Sequence, residues 1–296
     1  GMQCPFEAND LSKQFGATAA LDHVTVSFRP RSIIGLLGKN GSGKTTLMRH
    51  LMGLYLPSGG AATTLGTPIA ELDHEQFVRI GYVPQEIRLL DWMTVGQHLE
   101  FVASFYPRWD QERQRRLEAE LELDLRKQVG SLSTGNLQKV AVILAVCHHP
   151  ELLVLDEPVS DLDPIARGKL LEFLLELLQE DNATIVVSSH VLRDVEKVVD
   201  WVVCLDRGQV VEDAGLDELK ERYAEWSVVS RNGDLPGPYP EPYVLDQEVR
   251  GRQARLLVDQ RHGSARDFRA AHDVELTSRP LNLEEIFPLL LKEHDA

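Results

Sequence analysis

The segment Gly38-Lys39-Asn40-Gly41-Ser42-Gly43-Lys44-Thr45 leaves this chain few folds to choose from. It satisfies the phosphate-loop spacing in full. It lies between an apolar, partly β-branched run (32–37) and a segment that reads as helix (46–54). Glycines let successive backbone N–H groups curl toward one point, and the helix that follows aims its positive end at the same place. Lys44 can then reach the β/γ-phosphates of a nucleotide, and the Thr45 hydroxyl can reach a Mg2+ ion. A chance glycine-rich turn would lack the flanking strand and helix. On its own the loop says only nucleotide phosphate, because kinases, GTPases and ATPases share it.

Three further apolar runs, 78–83, 152–155 and 183–187, end in Pro84-Gln85, Asp156-Glu157 and Ser188-Ser189-His190. Such runs suit strands buried on both faces of a parallel sheet. Ligands bind at the carboxyl ends of strands in open α/β sheets, so four segments deliver polar residues to one edge. Asp156 suits the Mg2+ shell of a phosphate-loop enzyme, and Glu157 can accept a proton from a water attacking the γ-phosphate. An adjacent glutamate favours hydrolysis over transfer to a second substrate.

Elsewhere the pattern changes. Residues 6–28 alternate apolar and polar and read as antiparallel strands. Segments 98–106 and 111–127 carry apolar residues at helical spacing among many charges, which predicts a helical insertion over about 91–130. Beyond residue 221 come a Pro/Gly-rich break (232–242), strand-like pieces at 243–249 and 255–258, and a terminal helix over 282–291. Asn282 and Glu285 are spaced there for a capping box.

Composition narrows the partners. Apolar residues at 43% and charged residues at 26% describe a globular chain, and no apolar run approaches the roughly 18–20 residues of a membrane span. Acidic residues outnumber basic ones 46 to 31, a net charge of −15, which argues against a dedicated nucleic-acid binder. Cys4, Cys147 and Cys204 are odd in number and sit at no metal or redox spacing, so reduced thiols in a cytosolic protein are expected. Cys147-His148-His149 has no second ligand cluster and reads as a helix end. No signal-peptide pattern opens the chain. Gly1 before Met2 reads as an addition made for expression, with the natural start expected at Met2.

Leu132-Ser133-Thr134-Gly135-Asn136, just before a helix, resembles LSGGQ, the signature motif of ABC-type ATPases. Gln85, Ser160-Asp161-Leu162-Asp163 and His190 look like that family's Q-loop, D-loop and switch histidine, in the family's order. The resemblance covers about 6–215. It implies an α/β fold: a phosphate-loop ATPase core with a mainly parallel sheet, an N-terminal antiparallel β subdomain and a helical insertion. A small C-terminal α+β extension follows, with domains expected at 2–220 and 221–296.

By the same resemblance the cofactors are ATP and Mg2+. Phe15 stacks on adenine, and Gly38, Asn40, Gly41, Ser42, Gly43, Lys44, Thr45 and Thr46 hold the phosphates. Thr45, Gln85 and Asp156 serve the metal, and Glu157, His190 and Gln85 serve catalysis. Ser133, Gly135 and Asp161 meet ATP held by a second copy. Two signature positions depart from the pattern, Thr134 for glycine and Asn136 for glutamine. Thr134 narrows the backbone choices, and Asn136 weakens a capping box with Ser133.

The implied machine is a head-to-tail pair, of this chain with itself or with a paralogue, sandwiching ATP. It would drive separate polytopic transmembrane subunits from the inner face of the cell membrane, most simply for export. The expected docking surface is the helical insertion with the Gln85 region. Two other readings stay open: a soluble ABC ATPase working on ribosomes or DNA, and a phosphate-loop kinase or GTPase. The last has no use for Ser133, Gly135 or His190, and the chain has no guanine-specifying Asn-Lys-x-Asp.

Overall fold

The computed structural model describes residues 3–296, so the start expected at Met2 lies outside the described residues. The chain divides between Asp213 and Ala214 into two compact units. In the first, β1 (Phe6–Phe15) and β2 (Thr18–Ser27) pair antiparallel, and β3 (Ile33–Leu37) leads through the glycine-rich loop into α1 (Lys44–Leu51). Next come β4 (Gly59–Thr64), β5 (Thr67–Pro68), the short α2 (His74–Phe77) and β6 (Ile80–Val83). The helical insertion contains α3 (Val95–Ala103) and α4 (Gln111–Glu120). After it run α5 (Thr134–Val146), β7 (Leu152–Asp156), α6 (Pro164–Glu180), β8 (Thr184–Ser188) and α7 (Leu192–Glu196). The hairpin of β9 (Trp201–Asp206) and β10 (Gln209–Gly215) closes the unit.

One sheet, ordered β2-β1-β4-β5, is antiparallel. The central sheet is ordered β10-β9-β3-β8-β7-β6, and β9, β3, β8, β7 and β6 are mutually parallel. Every residue of β3, β7 and β8 is buried, as continuous apolar runs require. Phe6, Leu11, Ile34, Leu47, Leu51, Val154 and Val186 belong to one apolar cluster that joins both sheets through α1. Register does the positioning. Leu36 pairs with Ser188, Ser188 with Asp156, and Leu155 with Val83, so four strands end at one edge.

The helix expected over 111–127 stops at Glu120. Glu122 takes a left-handed conformation (φ 55°), and the chain doubles back. The carbonyls of Lys127 and Leu125 then accept the N–H groups of Val95 and Gly96 at 2.9 and 3.0 Å. Two orphan donors of the first turn of α3 are satisfied this way, a tertiary demand that outweighs local helical periodicity.

The second unit opens with α8 (Leu216–Arg222), so the division expected at 220/221 falls inside a helix. β11 (Tyr223–Ser230), β12 (Val244–Arg250), β13 (Gln253–Asp259) and β14 (Val274–Pro280) form an antiparallel sheet ordered β12-β13-β11-β14. α9 (Ala265–His272) places Phe268 on buried Trp226, ring centroids 5.5 Å apart. α10 (Leu283–Asp295) starts at the expected capping box: Asn282 accepts from the Glu285 N–H and Glu285 from the Asn282 N–H. β11, one of the two inner strands, lies in a segment for which the sequence gives no expected element.

Candidate active site

The glycine-rich loop is held from below. β9 and β10 are joined by Arg207 and Gly208, both at positive φ, a turn of the kind that matches strand twist. The Gly208 N–H donates to the Ser42 carbonyl at 2.9 Å, fixing the loop to the hairpin. Gly43 ends the loop at φ 111°, and a Cβ there would lie 2.9 Å from the Ala20 carbonyl, so only glycine fits. α1 then begins with no acidic residue in its first turn, leaving its N-terminal field open to an anion. Lys44 is buried in that turn. The Ser42 hydroxyl is buried and has no hydrogen-bond partner among the described residues.

Across the edge, the Thr45 hydroxyl donates to Oδ2 of Asp156 at 3.0 Å, and the Ser188 hydroxyl donates to Oδ1 at 2.7 Å. Asp156 is 3% exposed. Glu157 follows in the left-handed region at φ 52°, a conformation costing about 1–3 kcal/mol in a residue with a side chain. Its N–H donates to Ser188, and its carboxylate oxygen Oε2 lies 3.0 Å from His190 Nδ1. The His190 backbone N–H points at the same oxygen at 3.4 Å.

Lys44, Thr45, Thr46, Gln85, Asp156 and Glu157 line one cleft of about 620 Å³. A nucleotide triphosphate fits this set. It brings anionic oxygens to the buried Lys44, with Asn40, Gly41 and Gly43 of the loop also lining the cleft; Gly38 and Ser42 are not among its lining residues. The oxygens of Thr45, Asp156 and Gln85 suit a hard cation such as Mg2+, which takes few protein ligands and completes its shell with phosphate and water. Among the described residues no three His, Cys, Asp or Glu side chains converge to hold a metal unaided. Cys204, paired with Leu37 at the end of β3, has its thiol pushed up to about 12 by burial and is no nucleophile.

Ser133 and Gly135 stand outside this cleft. Ser133 caps α5, its hydroxyl accepting the Asn136 N–H at 3.1 Å, without the return bond that closes the box at Asn282. Gly135 rests on the loop after β7: a Cβ there would sit 2.5 Å from the Asp161 carbonyl. Asp163 caps α6 by accepting the N–H groups of Ile165 and Ala166, both at 2.9 Å, with Pro164 in the first turn.

The family model described as ABC transporter matches residues 21–160. An uncharacterized ABC transporter ATP-binding protein of Synechocystis sp. is 35% identical over 266 residues, spanning 83% of this chain and 74% of that protein. This chain belongs to the ABC transporter ATP-binding protein family. The bacitracin transport ATP-binding protein BcrA of Enterococcus faecalis is 32% identical, over 77% of this chain and 75% of its own. The Nod factor export ATP-binding protein I of Cupriavidus pinatubonensis is 30% identical over 95% and 89%. A solved structure, the ATP-binding subunit of an ABC transporter, superimposes with TM-score 0.66 at 31% identity, covering 73% of this chain and 92% of that one. The chain is thus an ABC-type ATPase with the α/β phosphate-loop fold expected of it.

Within this ABC ATPase, Phe15 lies at the end of β1, paired with Thr18 and 45% exposed. Tyr55 meets its ring edge-on at 5.4 Å, and Lys13 Nζ lies 5.4 Å from the ring centroid. Phe15 is not among the residues that line the cleft. The cleft also takes in Lys39 of the phosphate-loop segment, and Thr18, Ala19, Ala20 and Arg207, which the sequence alone does not single out. Thr18, Ala19 and Ala20 arrive through the β1–β2 hairpin and Arg207 through the β9–β10 turn. No local motif marks them.

Proposed function

We propose that this ABC ATPase is the energy-supplying subunit of a membrane exporter, acting as a head-to-tail pair with ATP between the two copies. The observation that carries the reading is the separation of two helix starts, those of α1 and α5. The α1 start opens into the cleft with Lys44, whereas the capped start of α5 at Ser133 is exposed outside it. A second copy turned head to tail would bring its own Ser133 and Gly135 to the γ-phosphate held by the first, with Asp161 at the contact.

In this reading the loop N–H groups and Lys44 hold the β- and γ-phosphates, Phe15 carries the adenine, and Thr45, Asp156 and Gln85 hold Mg2+. The ion, when bound, offsets charge on the phosphate oxygens. A water attacks the γ-phosphorus, the bond from that phosphorus to the β–γ bridging oxygen breaks, and Glu157 takes the water's proton. His190 orients Glu157. The pair binds ATP in its closed state and opens after hydrolysis, so the difference in ATP affinity between the two states does the work.

No helix among the described residues is long and apolar enough to cross a membrane, so in this proposal transport needs separate polytopic subunits at the inner face of the cell membrane. The names of BcrA and of the Nod factor export protein support the export direction. The test is capture of the Glu157→Gln chain from native membranes in mild detergent with ATP. A co-purifying polytopic membrane protein is the expected result. Recovery of ribosomal or DNA-bound partners alone would overturn the transporter reading in favour of a soluble ABC ATPase.

A further inference from the structure

Gln138 is buried on α5, one turn beyond the Ser133 cap, and its amide is used at both ends. Oε1 accepts the Asp161 N–H at 3.1 Å. Nε2 lies 2.9 Å from Ser160 Oγ, 3.2 Å from the Glu157 carbonyl and 3.4 Å from Asp161 Oδ2. The Asp161 N–H is a fixed donor, so the amide has one sensible orientation, oxygen toward Asp161 and nitrogen toward Glu157. Ser160 closes the same loop by donating to the Glu157 carbonyl at 3.2 Å. Gly135 adds contact without a side chain, its Cα facing the Asp161 carbonyl too closely for a Cβ.

These contacts converge on a residue in an uncommon backbone state. Glu157 has φ 52°, its N–H tied to Ser188 and its carbonyl to Gln138. A left-handed glutamate persists only where its surroundings hold both sides of the peptide. Gln138 therefore binds two parts of the chain into one body: the exposed helix start at Ser133 and the peptide that aims the Glu157 carboxylate at the cleft.

We propose that Gln138 is a positioning residue for ATP hydrolysis, transmitting the placement of the α5 start to Glu157 of the same chain. The inference rests on the roles proposed above for Ser133 and Glu157. In a head-to-tail pair, contact of the helix start with ATP held by the second copy would be felt at the glutamate serving the chain's own ATP. Each site would then report its occupancy to the other through a path that runs from Ser133 to Gln138 to Glu157.

The test uses the full chain and steady-state ATP hydrolysis. Gln138→Leu removes both ends of the amide and is expected to lower kcat at least ten-fold while KM for ATP moves less than two-fold. Gln138→Glu supplies a second readout. Its carboxylate keeps an acceptor for the Asp161 N–H and loses the donor, and its protonated form regains one. The kcat of Gln138→Glu relative to the parent chain is therefore expected to rise as pH falls from 8 to 6, a trend measured within one folded variant. Unchanged kcat in Gln138→Leu, or a loss that falls on KM instead, would overturn the proposal, as would a pH-independent ratio for Gln138→Glu. Continued hydrolysis by Glu157→Gln would instead remove the underlying assignment of Glu157, so the two failures are separable.

Discussion

The Thr45 hydroxyl donates to Asp156 across 3.0 Å, joining the first turn of α1 to the last residue of β7. The two residues lie 111 positions apart in the chain. This bond sets the distance between the phosphate loop and the acidic strand end, and its two side chains are among those that would hold the metal of the proposed reaction.

Asp156→Asn keeps the shape of that side chain but puts an NH2 group or a neutral oxygen opposite the Thr45 hydroxyl. ATP affinity measured with Mg2+ is expected to fall ten-fold or more, because a charge-assisted contact is lost. Affinity in excess chelator is expected to stay within about two-fold. Nucleotide titration under the two conditions checks this, and an equal loss in both would remove Asp156 from the metal's shell.

Glu157→Gln preserves the contacts of the peptide and loses the proton acceptor. Turnover is expected to drop by about 10²–10⁴-fold, the usual contribution of a general base, with ATP binding retained. With hydrolysis blocked, ATP is expected to hold two chains together, seen as a doubling of mass on size exclusion or light scattering.

Ser133→Arg places a long cation at the exposed start of α5, away from the cleft that holds Lys44. One chain should still bind ATP with unchanged affinity, while ATP-dependent pairing in the Glu157→Gln background should disappear. Normal pairing would show that the start of α5 is not the contact with the second copy.

Arg113 on α4 is held by Asp181 at the end of α6 and by the Val146 carbonyl, each at 2.9 Å, and His149 bridges Asp181 and Asp110. Burial pushes the Asp181 carboxyl up, but Arg113 and His149 outweigh it and hold it below its usual value. A carboxylate depressed in the folded state contributes stability above its unfolded pKa and loses it as pH falls through the folded one. Asp181→Asn is therefore expected to show a smaller loss of unfolding free energy than the parent chain between pH 5 and pH 3. Arg113→Met leaves Asp181 buried without its main partner and should cost about 3–5 kcal/mol at pH 7. Urea titrations at each pH measure both.

Cys147 and Cys204 are fully buried, and burial pushes both thiols up to about 12. Cys4 is partly exposed. A thiol reagent at pH 8 is expected to label one cysteine per native chain and three after denaturation. Rapid labelling of more than one would show that β9 or the end of α5 opens readily.

The phosphate loop, the strand ends at Gln85, Asp156 and His190, and the caps at Ser133 and Asn282 were legible in the sequence. Each depends on residue type at fixed short spacing: glycines where the backbone must curl, continuous apolar runs where both faces are covered, a small polar residue where a helix exposes N–H groups. Length of the second insertion helix, the inner strand β11 of the C-terminal sheet, the entry of Arg207 into the cleft and the contacts of Gln138 were not. The insertion helix ends at Glu120 because α3 needs the carbonyls of Leu125 and Lys127. Arg207 reaches the cleft because a β-hairpin turn braces Ser42, and Gln138 meets Glu157 because α5 packs beside the end of β7. Short-range chemistry is written in neighbouring residues. Contacts between residues far apart in the chain follow from how sheets and helices share one core, and no local spacing encodes them.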